Sequence, residues 1–250
     1  MWQDAIVDKS IWYRGHIRGV AEKIIAHRAT NPTGRPFFLF VDGFGCSGKS
    51  TLSAHLNQLF QGYGLRTQEL HIDDFIHQKA VRADPKYTQA HNYYNRQFRY
   101  EYLKDTVLTP MWQGQKGSVE VQIYDHPTDG YTLQKVFLQP DIVILEGVFV
   151  QRRELNGYKD LAVYLTIERD EQLRRALSRG NNGADAGEIL HKYQTKYNPG
   201  EDMYLSLCAP DAAADIVFDT ASRRIILNNP RLMHGIQRQP GKGGPGFEIR

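Results

Sequence analysis

Gly43-Phe44-Gly45-Cys46-Ser47-Gly48-Lys49-Ser50 fits the spacing G-x-x-x-x-G-K-[ST] at every constrained position. Phosphate oxygens need many short donors, and bulky side chains would keep a backbone away from them. Glycines let main-chain N–H groups curl around the anion, and the helix that follows offers its positive end. In such a loop the lysine reaches the β- and γ-phosphates of a nucleoside triphosphate, and the Ser50 hydroxyl ligates Mg²⁺. Gly43, Gly45, Cys46, Ser47, Gly48, Lys49, Ser50 and Thr51 are therefore the expected nucleotide-contacting set. The string arises by chance in on the order of one chain of this length in a hundred. The plainer alternative is a Gly-rich turn that merely precedes a helix, and the flanking sequence speaks against it.

Upstream lies Phe37-Phe38-Leu39-Phe40-Val41, a continuous apolar run of the kind a strand buried on both faces carries. Downstream, Leu52, Leu56 and Leu59 share one side of a helix from about Lys49 to Phe60, closed by Gly62 and Gly64. Working outward, residues 1–30 carry Ile17, Val20, Ile24 and Ile25 at helical spacing and stop at Asn31-Pro32-Thr33-Gly34. Strands are expected over 65–73, 141–149, 161–167 and 214–219, and helical stretches over 91–113, 170–179 and 184–197. Residues 118–124 and 131–138 alternate and read as a hairpin across Pro127-Thr128-Asp129-Gly130. Strands alternating with helices predict an α/β fold of the P-loop NTPase type. Its doubly wound, mostly parallel sheet would carry helices on both faces, joined by right-handed crossovers.

The chain has 250 residues, enough for one α/β domain. Its core is expected from about residue 36 to 220, with an acceptor insertion near 76–138 and an arginine-rich lid near 169–200. Residues 221–250 hold five glycines, three prolines and six Lys or Arg against Glu248 alone. They read as a short strand and a mobile basic tail, or else as a basic arm for phosphate or a partner subunit. An apolar fraction of 41%, a charged fraction of 24% and a net charge of +3 force no nucleic-acid or membrane partner. Cys46 and Cys208 are too few for a disulfide framework and have no zinc-type spacing. The N-terminus lacks the order of a secretory signal, and the longest apolar runs fall short of a membrane span. The expected setting is cytoplasmic; homo-oligomerisation stays open.

Three further features carry chemistry. Asp73-Asp74 end the second expected strand, where ligands of open parallel sheets bind. One of them could take a proton from an attacking hydroxyl, or an Asp could simply cap the next helix. Glu146 ends the buried run from Asp141 and suits a Mg²⁺ shell, or else an exposed loop. Arg169, Arg174, Arg175 and Arg179 crowd one segment before Gly180. Arginine forks suit spread phosphoryl charge, although Asp170 and Glu171 could pair with them on a solvated face. The aromatic cluster Tyr87, Tyr93, Tyr94, Phe98, Tyr100 and Tyr102 serves core packing or stacks on a substrate ring.

Taken in order, Gly43–Ser50, Asp73-Asp74-Phe75, Tyr124-Asp125, Glu146-Gly147, the arginine segment and Ala214-Asp215-Ile216-Val217 resemble the uridine kinase and phosphoribulokinase superfamily. Nicotinamide riboside kinase and bacterial pantothenate kinase are similar in layout. The resemblance covers residues 36–220. It implies ATP and Mg²⁺ as cofactors and a small hydroxylated acceptor, nucleoside-like or vitamin-like. It makes Asp73 the base, also placed near the metal with Ser50 and Glu146. Lys49 and Arg175 would stabilise the transferred group. Tyr124, Asp125, Arg174 and Arg179 would lie around the substrate. One departure stands out. Uridine kinases resemble one another in a Tyr-Asp-Phe-x-x-His run, and here Asp129 falls at the position of the His. A carboxylate there can only accept hydrogen bonds, so the expected acceptor offers N–H, O–H or positive charge to it. The rival readings are a P-loop regulator or ATPase without an acceptor, for which no N-K-x-D motif is present, and a nucleic-acid-binding module using the basic tail.

Overall fold

Every residue of β1, Phe37–Gly43, is buried, because the strand lies inside the sheet with both faces covered. The computed structural model describes residues 2–179, 185–220, 224–233 and 247–249, with side-chain surroundings from residue 16 to 233 within those ranges. Phe37, Leu39 and Val41 point to one face, against Ile17, Val20 and Ile24 of α1 (Trp2–Thr30) and Leu52, Leu56 and Phe60 of α2 (Lys49–Gly62). Phe38 and Phe40 point to the other, against Tyr93, Leu103, Met111 and Tyr204. Successive strand residues face opposite ways, so a strand sandwiched between helical layers must be apolar throughout.

The chain then lays down β2 (Thr67–His71), a 3₁₀ turn over Ile72–Phe75, and the short helices α3 (Lys79–Arg82) and α4 (Gln89–Asn95). Helical turns α5 (Tyr100–Leu103) and α6 (Thr109–Trp112) flank a π turn, and β3 (Ser118–Asp125) and β4 (Gly130–Phe137) form a separate antiparallel hairpin. β5 (Ile142–Gly147), β6 (Leu161–Thr166), α7 (Arg169–Ser178), α8 (Ala186–Lys192), α9 (Asn198–Cys208), α10 (Pro210–Ala213), β7 (Ile216–Asp219), β8 (Arg224–Leu227) and β9 (Phe247–Ile249) follow. The main sheet runs β2-β5-β1-β6-β7-β8-β9. All its pairings are parallel except β7 with β8. This is the doubly wound α/β fold expected from the sequence. No helix among the described residues is long and apolar enough to cross a membrane.

The details differ in three places. The stretch expected to be helical over 91–113 breaks after α4, because its backbone is used elsewhere: Arg99 N–H donates to Phe75 O and His77 N–H to Gln97 O. The helix expected to end near 197 runs on through a π turn at Tyr193–Tyr197 into α9. Pro199 follows closely on the π turn, where the helical bonding pattern already changes. The tail expected to be solvated contains β9, paired with β8, while residues 234–246 lie outside the described residues.

Truncating Phe40, fully buried at the centre of the larger core, should cost about 3–5 kcal/mol as Phe40→Ala. Urea unfolding measures it, and a loss below about 1 kcal/mol would contradict this packing.

Candidate active site

The loop after β1 turns on glycines held at positive φ. Gly43 has φ 148°, and a Cβ there would meet Leu165 O at 2.6 Å. Gly48, at φ 102°, caps α2 without any side-chain bond, and the first turn of α2 carries no acid. The helix therefore presents its free N–H groups and positive end to the cleft. Ser47 Oγ is buried without a partner. Lys49 is buried and donates to Phe44 O at 3.0 Å. No carboxylate pairs with it among the described residues.

Glu146 lies across from Val41 of β1 and His71 of β2, which brings its carboxylate to the start of α2. Ser50 Oγ donates to Glu146 Oε1 at 2.8 Å, and His71 Nδ1 stands 3.8 Å from the same oxygen. Oε2 is buried with no partner. Burial pushes Glu146 up, but His71, Lys49 and Ser50 outweigh it, so its pKa falls below the usual range. The Glu146 carboxylate beside it raises His71 to about 9. His71 is thus a charged neighbour of this carboxylate.

Asp73 and Asp74 sit in the 3₁₀ turn after β2. Asp73 is open to the cleft, yet the protein around it is close enough that burial raises its pKa; Lys49 lowers it and Glu146 raises it further. Burial raises Asp74 as well. Gly147 fixes the approach of this turn: a Cβ at Gly147 would fall 2.1 Å from Ile72 Cγ2, and its φ is 150°. Lys49, Ser50, Asp73 and Glu146 line one cleft of about 380 Å³.

Comparison with known proteins reads this geometry. The sequence model of the phosphoribulokinase/uridine kinase family matches residues 40–226. This chain belongs to that family. It is accordingly a P-loop kinase, a nucleotide-binding transferase. A uridine kinase of Brevibacillus brevis is 24% identical over 189 residues, covering 74% of this chain and 85% of its own. The solved structure of a possible uridine kinase from Bacillus stearothermophilus superposes with a TM-score of 0.67 at 27% identity, covering 83% of this chain and 99% of the other. A D-glycerate 3-kinase from Cryptococcus neoformans shares the fold, with a TM-score of 0.54 at 13% identity over 70% of this chain and 84% of its own.

The remaining candidates divide between the cleft and its surroundings. Arg179 lines the cleft. Arg175 donates to Cys46 O of the loop at 3.0 Å and to Glu171 at 2.6 Å. Arg174 is directed to Glu171 at the surface, away from the cleft lining. Gly180–Gly183 lies outside the described residues. Tyr124, Asp125 and Thr51 do not line the cleft. Nor does Asp129. Its carboxylate accepts from Tyr124 OH at 2.6 Å and from Lys79 N at 3.0 Å, and Arg82 lies 3.8 Å away. The hydrogen bond from Tyr124 leads the effects that hold its pKa below the ordinary value. Asp129 therefore anchors the hairpin turn, and the acceptor preference read from it loses its basis. His126, displaced in sequence from the family His, does line the cleft.

Sequence reading missed a supporting layer. Asp42 is fully buried under the loop and bonded to Gly43 N, Gln151 and Tyr204. Glu201, on α9, pairs with Arg169 and accepts from Gln172 at 2.9 Å. Burial raises Glu201 to about 7. An acid just before the Gly-rich loop was the only available signal for Asp42; nothing local marked Glu201.

Two outcomes follow. Gly147→Ala should displace the Ile72–Asp73 turn and lower kcat by about tenfold or more, read by steady-state kinetics, with nucleotide affinity near wild type; unchanged kcat would contradict the close approach. Carbon-13 NMR should place the Glu201 midpoint near 7. The folded protein then holds this proton more tightly than the unfolded chain does. The contribution of Glu201 to stability is thus complete below about 4.5 and lost as pH rises towards about 7. The stability difference between wild type and Glu201→Gln should shift over that window, and a flat difference would contradict it.

Proposed function

We propose that this kinase moves the γ-phosphoryl group of ATP onto a hydroxyl of a small molecule, with Asp73 as the base. The observation that carries the reading is the shared cleft: Lys49 and Ser50 of the phosphate loop, Glu146 and Asp73 all face one space. Asp73 has no hydrogen-bond partner among the described residues, whereas Ser50 and Glu146 hold one another. Asp73 is therefore assigned the proton, and the metal role is left to the other two.

The cofactor suits this donor set. Mg²⁺ typically takes one or two carboxylates plus substrate phosphates, and keeps several waters. Ser50 Oγ and the unpartnered Glu146 Oε2 would hold it. When bound, it neutralises phosphate charge. The free N–H groups at the start of α2 and the Lys49 ammonium would hold the phosphate oxygens. Asp73 accepts the proton of the attacking hydroxyl, and burial that lifts its pKa makes it a better base. Arg179 and Arg175 on the segment over 169–200 would steady the spreading charge. The elements over 76–138 would form the acceptor side.

Asp73→Asn should lower kcat by roughly 10²–10⁴-fold with nearly unchanged ATP affinity, and Asp74→Asn should cost less. Lys49→Ala should abolish transfer. Coupled ADP-release kinetics read all three. Near wild-type activity of Asp73→Asn would contradict the base, and a reversed order of the two aspartates would move the role to Asp74.

A further inference from the structure

Lys196 is the observation that the proposed chemistry leaves unused. It lines the same cleft as Asp73, Gln97 and His126, on the π turn that leads into α9. Its ammonium stands 5.3 Å from the ring centroids of both Tyr93 and Tyr197. Arg169, Arg174 and Arg175 on the neighbouring helix each have a carboxylate partner. Lys196 has none among the described residues, and no hydrogen bond either. A half-buried cation beside two aromatic rings gains from them but stays short of an anion.

The charges that act on Lys196 are Arg82 and Lys192, both positive, and with burial they bring it down to about 8. The carboxylate of Asp129, near Arg82, is already used by Tyr124 and Lys79. The same cleft holds a second unsatisfied group: Gln97 Oε1 is buried with no partner. Ile76, Tyr93 and Phe98 give that cleft an apolar wall. A ligand that completes this wall brings an anion for Lys196 and an O–H or N–H donor for Gln97.

Resting on the kinase reading above, we propose that the acceptor is an anionic alcohol, a hydroxy acid or a phosphorylated polyol, whose carboxylate or phosphate docks on Lys196. Lys196 is thereby a specificity residue. A neutral nucleoside leaves this cation without an anion, so uridine and cytidine are disfavoured. The reason differs from the one the hairpin carboxylate suggested.

The test uses the full chain with D-glycerate, D-pantothenate and D-ribulose 5-phosphate as anionic probes, and uridine and cytidine as neutral ones. Binding is read as the Tm shift in the presence of a non-hydrolysable ATP analogue, and turnover as ADP release. At least one anionic probe should raise Tm and exceed uridine in kcat/KM by about tenfold or more. A response confined to the phosphorylated probe assigns a phosphate, and one confined to the hydroxy acids assigns a carboxylate. Lys196→Met should raise KM for that probe by about tenfold or more, with kcat and ATP affinity little changed, and Lys196→Arg should retain most of the binding. Uridine exceeding all three anions overturns the proposal. So does an absence of any Tm shift with the three, or a KM indifferent to Lys196→Met. A collapse of kcat at constant KM would put Lys196 on the transferred group and also overturn it. If anionic probes shift Tm in a Lys196-dependent way but no alcohol is phosphorylated, the kinase reading fails while the docking stands.

Discussion

A carboxylate at the end of β1 is held at complete burial by three converging donors. Asp42 accepts from Gly43 N at 2.8 Å, Gln151 Nε2 at 3.1 Å and Tyr204 OH at 2.5 Å. Burial pushes its pKa up, and these bonds together with Lys49 work against it. Hydrogen bonds to a charged group contribute about 1.5–3 kcal/mol each, whereas a buried charge stripped of its donors is costly by several times that. The arrangement is therefore all or nothing. It ties the strand end, the segment after β5 and helix α9 to one point beneath the phosphate loop.

From that point the site is a matter of strand order. β5 lies between β1 and β2, with Glu146 opposite Val41 on one side and His71 on the other. Loops leaving the carboxyl ends of adjacent parallel strands must meet, which is why Lys49, Ser50, Glu146 and Asp73 share a cleft although up to 97 positions separate them in sequence. Gly147 then lets Ile72 close against the backbone, so the turn bearing Asp73 is set by packing more than by its own hydrogen bonds.

Much of this was legible in the sequence because it rests on local rules. The apolar run at Phe37–Val41 marks a strand covered on both faces, and the glycines of the loop mark a backbone that must approach an anion. The alternation over 118–124 and 131–138 marks a hairpin, which the structure holds as a sheet apart from the main one. What was not legible depends on contacts between distant segments. Asp129 looked like a substrate residue because its spacing from Tyr124 matched a family position; in space the two side chains bond to each other. His71 comes beside Glu146 only because β2 pairs with β5. Asn198-Pro199-Gly200 has the look of a helix end, yet the helix passes through it by way of the π turn at Tyr193–Tyr197. Lys196 carries no motif at all, and its standing comes from its place in the cleft beside Tyr93 and Tyr197.

The most direct measurement of whether this cleft serves an alcohol rather than water is isotopic. ATP and the alcohol probes are incubated with the protein in H₂¹⁸O, and the products are followed by phosphorus NMR. Transfer to an alcohol predicts a new phosphate monoester carrying no ¹⁸O, formed in step with ADP. Inorganic phosphate bearing one ¹⁸O, as the sole product with every alcohol offered, would contradict it.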